Sequence, residues 1–306
     1  MGKVLETPII FILFRRPETT RRVFEEIRRA KPRRLFLVAD GPRGPQDYDA
    51  CRLAREVVAD IDWECETSRY YAEKNLGVAT RVSSGITKAF EHVEEAIILE
   101  DDTLPCPFFF QYCASLLEYW RHDEKVFHIS GTNFLHGKSY SGNSSYYFHR
   151  HPAIWGWATW KRAWSHYDIR LPDWPWHQNN GLLQHTLHTQ EAIKQWNHIF
   201  DLHYDNDDPW TWDYHWTYAT WVKSGLSASP RENLVTNLGF GKDATHTGNA
   251  EAPDLPINPK YTETIIHPIK SHADEEFNRL MEKQIHGKPP NKIKRGLTKL
   301  WKLVWK

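Results

Sequence analysis

Over the first 130 residues, short runs of β-forming apolar side chains alternate with amphipathic stretches of helical period, and this alternation narrows the folds open to the chain more than any other feature. Strands joined through helices run parallel in one sheet, and a parallel sheet needs helices on both faces. The expected strands lie at 9–14, 35–39, 64–71, 96–99 and 126–130, and the expected helices at 19–29, 49–59, 79–93 and 108–121. The fold class is therefore α/β with a doubly wound, mostly parallel central sheet, and 306 residues suffice to bury its core. Such sheets bind ligands beyond the carboxyl ends of their strands. Here the second run ends in Asp40-Gly41-Pro42 and the fourth in Glu100-Asp101-Asp102.

Three consecutive carboxylates after a buried strand repel one another unless a cation neutralises them. Hard oxygen ligands suit Mg2+ or Mn2+, which can bridge the phosphates of a nucleotide and steady a departing diphosphate. A solvated acidic turn capping the next helix is the plain alternative. A further carboxylate, Asp213, stands among the aromatics of Trp210-Thr211-Trp212-Asp213-Tyr214-His215-Trp216. Desolvation by neighbouring rings makes such an acid a better base for an acceptor hydroxyl, unless it is a structural acid bonded to an amide or His. Asp205, Asp207 and Asp208 are the fallback bases. Residues 149–221 hold 11 of the 15 tryptophans and 9 of the 17 histidines, with no single period. About half of these rings are expected in the core, and the others as flat walls of the kind a sugar ring requires. Gly156 would let a ligand approach the backbone closely.

These residues together resemble the metal-dependent glycosyltransferases of the GT-A fold, over the chain to about His246. The likeness is to bacterial family-2-like sugar transferases and to N-acetylglucosaminyltransferase I. The matching stretches are Leu13-Phe14-Arg15-Arg16-Pro17 after the first strand, Val38-Ala39-Asp40-Gly41 after the second, and the turn Asn75-Leu76-Gly77-Val78-Ala79. The resemblance implies that Arg15, Asp40, Asn75 and Arg81 contact the nucleotide donor, that Glu100 and Asp101 touch sugar and ribose hydroxyls, and that Asp102 binds the metal. It implies that Gly156 and Trp157 border the donor sugar and that Trp212-Asp213 carries the catalytic base, although Tyr214 and His215 follow where the family has a second Asp and a Trp. Ser229-Pro230-Arg231 to Phe240-Gly241-Lys242 is similar to the family's closing strand and glycine-rich loop, and His246 falls where many members place a metal ligand or diphosphate contact. The implied activity is inverting transfer from a nucleotide-sugar donor, a UDP-sugar, to a hydroxyl of a glycan or glycoconjugate acceptor, with Mn2+ or Mg2+.

Lys plus Arg and Asp plus Glu each number 39, so overall charge does not draw the chain to a polyanion, and nucleic acid is not an expected partner. The run 9–14 is too short to cross a bilayer and lacks a signal-peptide pattern, so a cytoplasmic location is expected, with four reduced cysteines. The expected organisation is a glycosyltransferase domain over 1–250, with a nucleotide-binding half at 1–131 and a Trp-rich acceptor half at 132–250. An irregular extension at 251–286 and a basic amphipathic tail helix at 287–306 follow. That tail carries seven positive charges and no acid, which suits either peripheral contact with an anionic membrane or packing on the domain. Two other readings stand beside the first. A nucleotidyltransferase should carry a Gly-rich, basic phosphate loop after strand one, which Arg15-Arg16-Pro17 is not. A non-catalytic carbohydrate binder would not need Glu100-Asp101-Asp102.

Overall fold

The computed structural model describes residues 4–136, 143–240 and 255–286. The chain begins β1 (Ile9–Leu13), α1 (Pro17–Ala30), β2 (Arg34–Ala39), α2 (Tyr48–Val57), β3 (Glu66–Tyr71), α3 (Val78–Phe90), β4 (Glu95–Glu100). It continues β5 (Thr103–Pro105), α4 (Phe108–Tyr119), β6 (Val126–Ser130), β7 (Tyr146–His149), β8 (Trp157–Trp160), α5 (Lys161–Trp164), α6 (Trp174–Asn179), α7 (Leu182–Thr186). Last come α8 (Gln190–His203), α9 (Asp213–Val222), β9 (Leu226–Pro230), β10 (Val235–Asn237) and α10 (Glu275–His286).

The main sheet has eight strands in the order β3-β2-β1-β4-β8-β6-β9-β7, and β5 and β10 form a small second sheet. The pairings β2–β3, β1–β2, β1–β4 and β6–β9 are parallel, while β4–β8, β6–β8 and β7–β9 are antiparallel. The expected α/β class with a mostly parallel central sheet is thus the observed one. Each strand of the first half divides its side chains between two cores, as a period of two requires. Ile9, Phe11 and Leu13 join Leu35, Leu37, Ile97 and Leu99 under α1 and α4, whereas Ile10, Ile12, Phe36, Val38 and Ile98 meet α3 on the other face. Gly85 of α3 lies so close to β2 that a Cβ there would stand 2.4 Å from Val38 Cγ1.

The tryptophan-rich segment fills cores rather than lining a surface. Of the eleven, nine are buried, namely Trp155, Trp157, Trp160, Trp164, Trp174, Trp196, Trp212, Trp216 and Trp221, and only Trp176 and Trp210 are exposed. They fall in three different clusters, which is why no single period ran through their sequence. The expectation that about half would form sugar-facing walls is corrected accordingly.

The extension is irregular from Leu255 to Asp274 and then ends in α10, whose Phe277 and Met281 pack at helical spacing into the third core. Arg150 forks onto Glu275 at 2.8 and 2.6 Å, and the buried Glu282 carboxylate accepts from the backbone N–H of His188 and of Thr189. All four cysteines are free thiols. Among the described residues no helix is long and apolar enough to cross a membrane. The tail 287–306 and His246 lie outside the described residues.

Candidate active site

The parallel strands β3, β2, β1 and β4 all end on one edge of the sheet, and polar residues follow β2, β1 and β4 there. At the β4 end, register decides which way each acid faces. Ile98 pairs with Trp157 of β8, and Glu100, two residues on, shares that face, while Asp101 turns toward the chain leaving β1. There Asp101 accepts from the Phe14 backbone N–H at 3.0 Å and from the Arg16 guanidinium at 3.1 Å. The same Arg16 nitrogen donates to Asp102 Oδ2 at 2.6 Å.

The three acids are therefore neutralised in part by an internal cation. Burial, then the neighbouring Asp102, Asp101 and Asp213, holds Glu100 well above the usual carboxylate range. Burial lifts Asp101 to about 6 against the opposing pull of Arg16. Arg16 is pushed further up by Asp102 and Asp101 in spite of its own burial, which acts the other way.

Asp102 sits beneath a closing loop. Its backbone C=O accepts from Leu238 N–H at 2.7 Å, one residue past β10, and Gly239 N–H donates to Asn237 Oδ1 at 2.6 Å. A Cβ on Gly239 would stand 2.1 Å from Asp102 Oδ2, so any side chain there would have to push the carboxylate aside. Phe240 anchors the loop edge-on against Trp155 at 5.7 Å. Among the described residues no three His, Cys, Asp or Glu side chains converge on one point. The donor set nevertheless fits Mg2+ or Mn2+, which bind through one or two carboxylates and take their remaining ligands from phosphate and water. Asp102 would be the protein ligand of such an ion, since Asp101 already spends an oxygen on each of Phe14 and Arg16.

Asp213 opens α9 and is only 2% exposed. Its carboxylate accepts a hydrogen bond from Thr211 Oγ1. Desolvation pushes it up to about 7, outweighing that bond and the Asp213 and Tyr214 backbone N–H groups of the helix start. Its charge is felt at Glu100, so the head of α9 and the end of β4 share one electrostatic environment. Trp212 stacks on Trp157 at 5.6 Å and 19°, and Trp157 stacks in turn on His128 at 5.0 Å and 17°. His128 Nδ1 accepts from Trp216 Nε1, so its Nε2–H donates to Ala153 C=O and the ring is neutral, as burial also requires. Trp157 Nε1 is buried with no hydrogen-bond partner.

The expected donor contacts divide into two groups. Asp40, Asn75 and Arg81 assemble at the ends of β2 and β3. The Asp40 carboxylate accepts from Asn75 Nδ2 at 3.0 Å, Leu76 N–H at 2.9 Å and Gly41 N–H at 2.8 Å, and the Arg81 charge acts on it. Arg81 donates to Tyr70 C=O at 2.7 Å and keeps a buried, unpartnered Nε. Arg15 instead turns away from the acids to Asp47 at 3.3 Å, leaving Arg16 as the cation that reaches them. The signal for Arg16 lay in register: Ile12 pairs with Glu100, so the first positive charges past β1 arrive beside the acids past β4.

Gly156 has φ of +62°, and a Cβ there would meet Val235 Cγ2 at 2.7 Å. It faces β10, not open space, and its neighbour Trp157 is fully buried. Gly156→Ala is expected to cost about 2–4 kcal/mol, from left-handed backbone strain plus overpacking, read as a lower urea midpoint at unchanged m-value. Of the fallback bases, Asp205 and Asp207 pair with Arg170 at 2.8 and 3.0 Å on an exposed loop, and Asp208 is exposed beside them.

No family model matches this chain, and no curated protein does. Among solved structures it is similar to a UDP-glucose pyrophosphorylase complexed with UDP-glucose, at 9% identity over 53% of this chain and 78% of that one, with a TM-score of 0.31. It is also similar to HddC from Yersinia pseudotuberculosis, at 10% identity over 51% of this chain and 78% of that one, with a TM-score of 0.32. A third similarity is to 4-diphosphocytidyl-2C-methyl-D-erythritolsynthase from Anaerococcus prevotii, at 10% identity over 64% of this chain and 99% of that one, with a TM-score of 0.30.

Proposed function

We propose that the chain is a metal-dependent, inverting glycosyltransferase that moves a sugar from a nucleoside-diphosphate donor, a UDP-sugar, to a hydroxyl of a glycan or glycoconjugate. The observation that carries this reading is the buried Asp213 carboxylate, poised near neutrality and electrostatically joined to the acidic row at the end of β4. A base of that strength next to a diphosphate-binding edge suits hydroxyl activation more than attack by an already ionised phosphate.

In this reading Asp213 takes the proton of the acceptor hydroxyl as its oxygen attacks the anomeric carbon. The bond from that carbon to the phosphate oxygen breaks, and its electron pair leaves with the diphosphate. Mn2+ or Mg2+ held by Asp102 would neutralise the charge gathering there. Glu100 and Asp101 face the sugar and ribose hydroxyls, and Asp40, Asn75 and Arg81 hold the nucleoside.

A panel of nucleotide sugars with Mn2+ tests the proposal through its products. Release of a nucleoside diphosphate supports it. Formation or consumption of pyrophosphate instead identifies a nucleotidyltransferase, and binding without any turnover identifies a carbohydrate-binding protein.

A further inference from the structure

Arg16 is anchored at its backbone and reaches the acids with the tip of its side chain. Its C=O accepts from Thr20 N–H at 2.9 Å and Thr20 Oγ1 at 2.7 Å, which fixes the first turn of α1. Its side chain is 20% exposed and extends to Asp101 and Asp102, 85 and 86 residues away in sequence. The guanidinium thus occupies the Asp102 oxygen at the place where a divalent ion would bind, and like charges cannot share it.

We infer that Arg16 is an exchangeable counter-ion of the acidic row, which competes with the divalent cation for Asp102 in the free protein. This rests on the reading of Asp102 as the metal ligand. It gives Arg16 a regulatory part in loading: the acids are stabilised without metal, and an ion entering alone has to displace a charge-assisted hydrogen bond. The Thr20 bonds hold the Arg16 backbone in place whichever partner Asp102 takes.

The test is Mn2+ binding by the intact protein, followed by electron paramagnetic resonance of the free ion, with no nucleotide present. Arg16→Gln is expected to tighten Mn2+ binding roughly ten- to a hundredfold, the worth of a charge-assisted hydrogen bond. Arg16→Lys, which keeps the charge but not the fork, should lie between Arg16→Gln and the parent. Thermal melting gives an independent reading: Arg16→Gln should melt lower than the parent in EDTA and gain more from a fixed Mn2+ concentration. If Arg16→Gln binds Mn2+ no more tightly while Asp102→Ala loses binding, the counter-ion role is overturned and the metal ligand stands. If Asp102→Ala binds Mn2+ like the parent, or if no variant binds it, the metal reading and the inference fall together.

Discussion

Asp213→Asn is expected to lower sugar transfer by roughly a hundred- to ten-thousandfold, the usual contribution of a general base, and at the same time to make the protein more stable above neutral pH. The two effects have one cause. In the folded chain desolvation raises Asp213 from 3.8 to about 7, so below pH 3.8 both folded and unfolded forms are protonated. As pH rises between those values the unfolded chain ionises first, and the stability attached to the folded proton is lost until about pH 7. At about 1.4 kcal/mol per pH unit the charged, buried carboxylate costs up to roughly 4 kcal/mol at pH 8, and the amide escapes this cost. Turnover and urea unfolding at about pH 5 and pH 8 measure both, with a stability gain of roughly 1.5 kcal/mol at the lower pH and roughly 4 kcal/mol at the higher. A variant that is inactive and destabilised at both would mark Asp213 as a structural acid.

Asp102→Ala is expected to remove metal-dependent donor binding, by roughly a hundredfold or more in affinity, while leaving the fold intact. The reason for the split lies in which atoms do what. The Asp102 backbone C=O, not its side chain, holds Leu238 and with it the closing loop, so alanine retains that link. Removing the carboxylate also relieves the repulsion that raises Glu100. Calorimetric titration of a nucleotide sugar with Mn2+ and with EDTA checks this. Equal affinity in the two conditions for the parent protein would remove the metal role from Asp102.

Much of the fold was legible because the buried strands are apolar without a break. All five residues of β1 are buried, and a run that packs on both faces of a sheet needs no alternation to be recognised. The acids at the end of β4 and the aromatic surround of Asp213 were legible for a related reason, since both break a local rule of burial or repulsion. What sequence did not show was long-range pairing. The choice of Arg16 over Arg15 depends on the register of β1 against β4, and Gly156 answers to Val235, 79 residues later. The tryptophans misled because a large apolar ring that lines a site and one that fills a core have the same letter, and three separate cores erased any periodicity. Helix α10 followed a proline-rich irregular stretch, and its docking rests on long-range contacts, Phe277 and Met281 in the third core and the Arg150–Glu275 fork across 125 residues.

The most direct measurement of the central claim is the pH dependence of kcat/KM for transfer from the best donor in saturating Mn2+, from about pH 5 to about pH 9. With Asp213 as the base, a single ascending limb is expected with its midpoint near 7, the ionisation of Asp213 in the free protein. A rate that is flat across that range, or an ascending limb that persists undisplaced in Asp213→Glu, would contradict it.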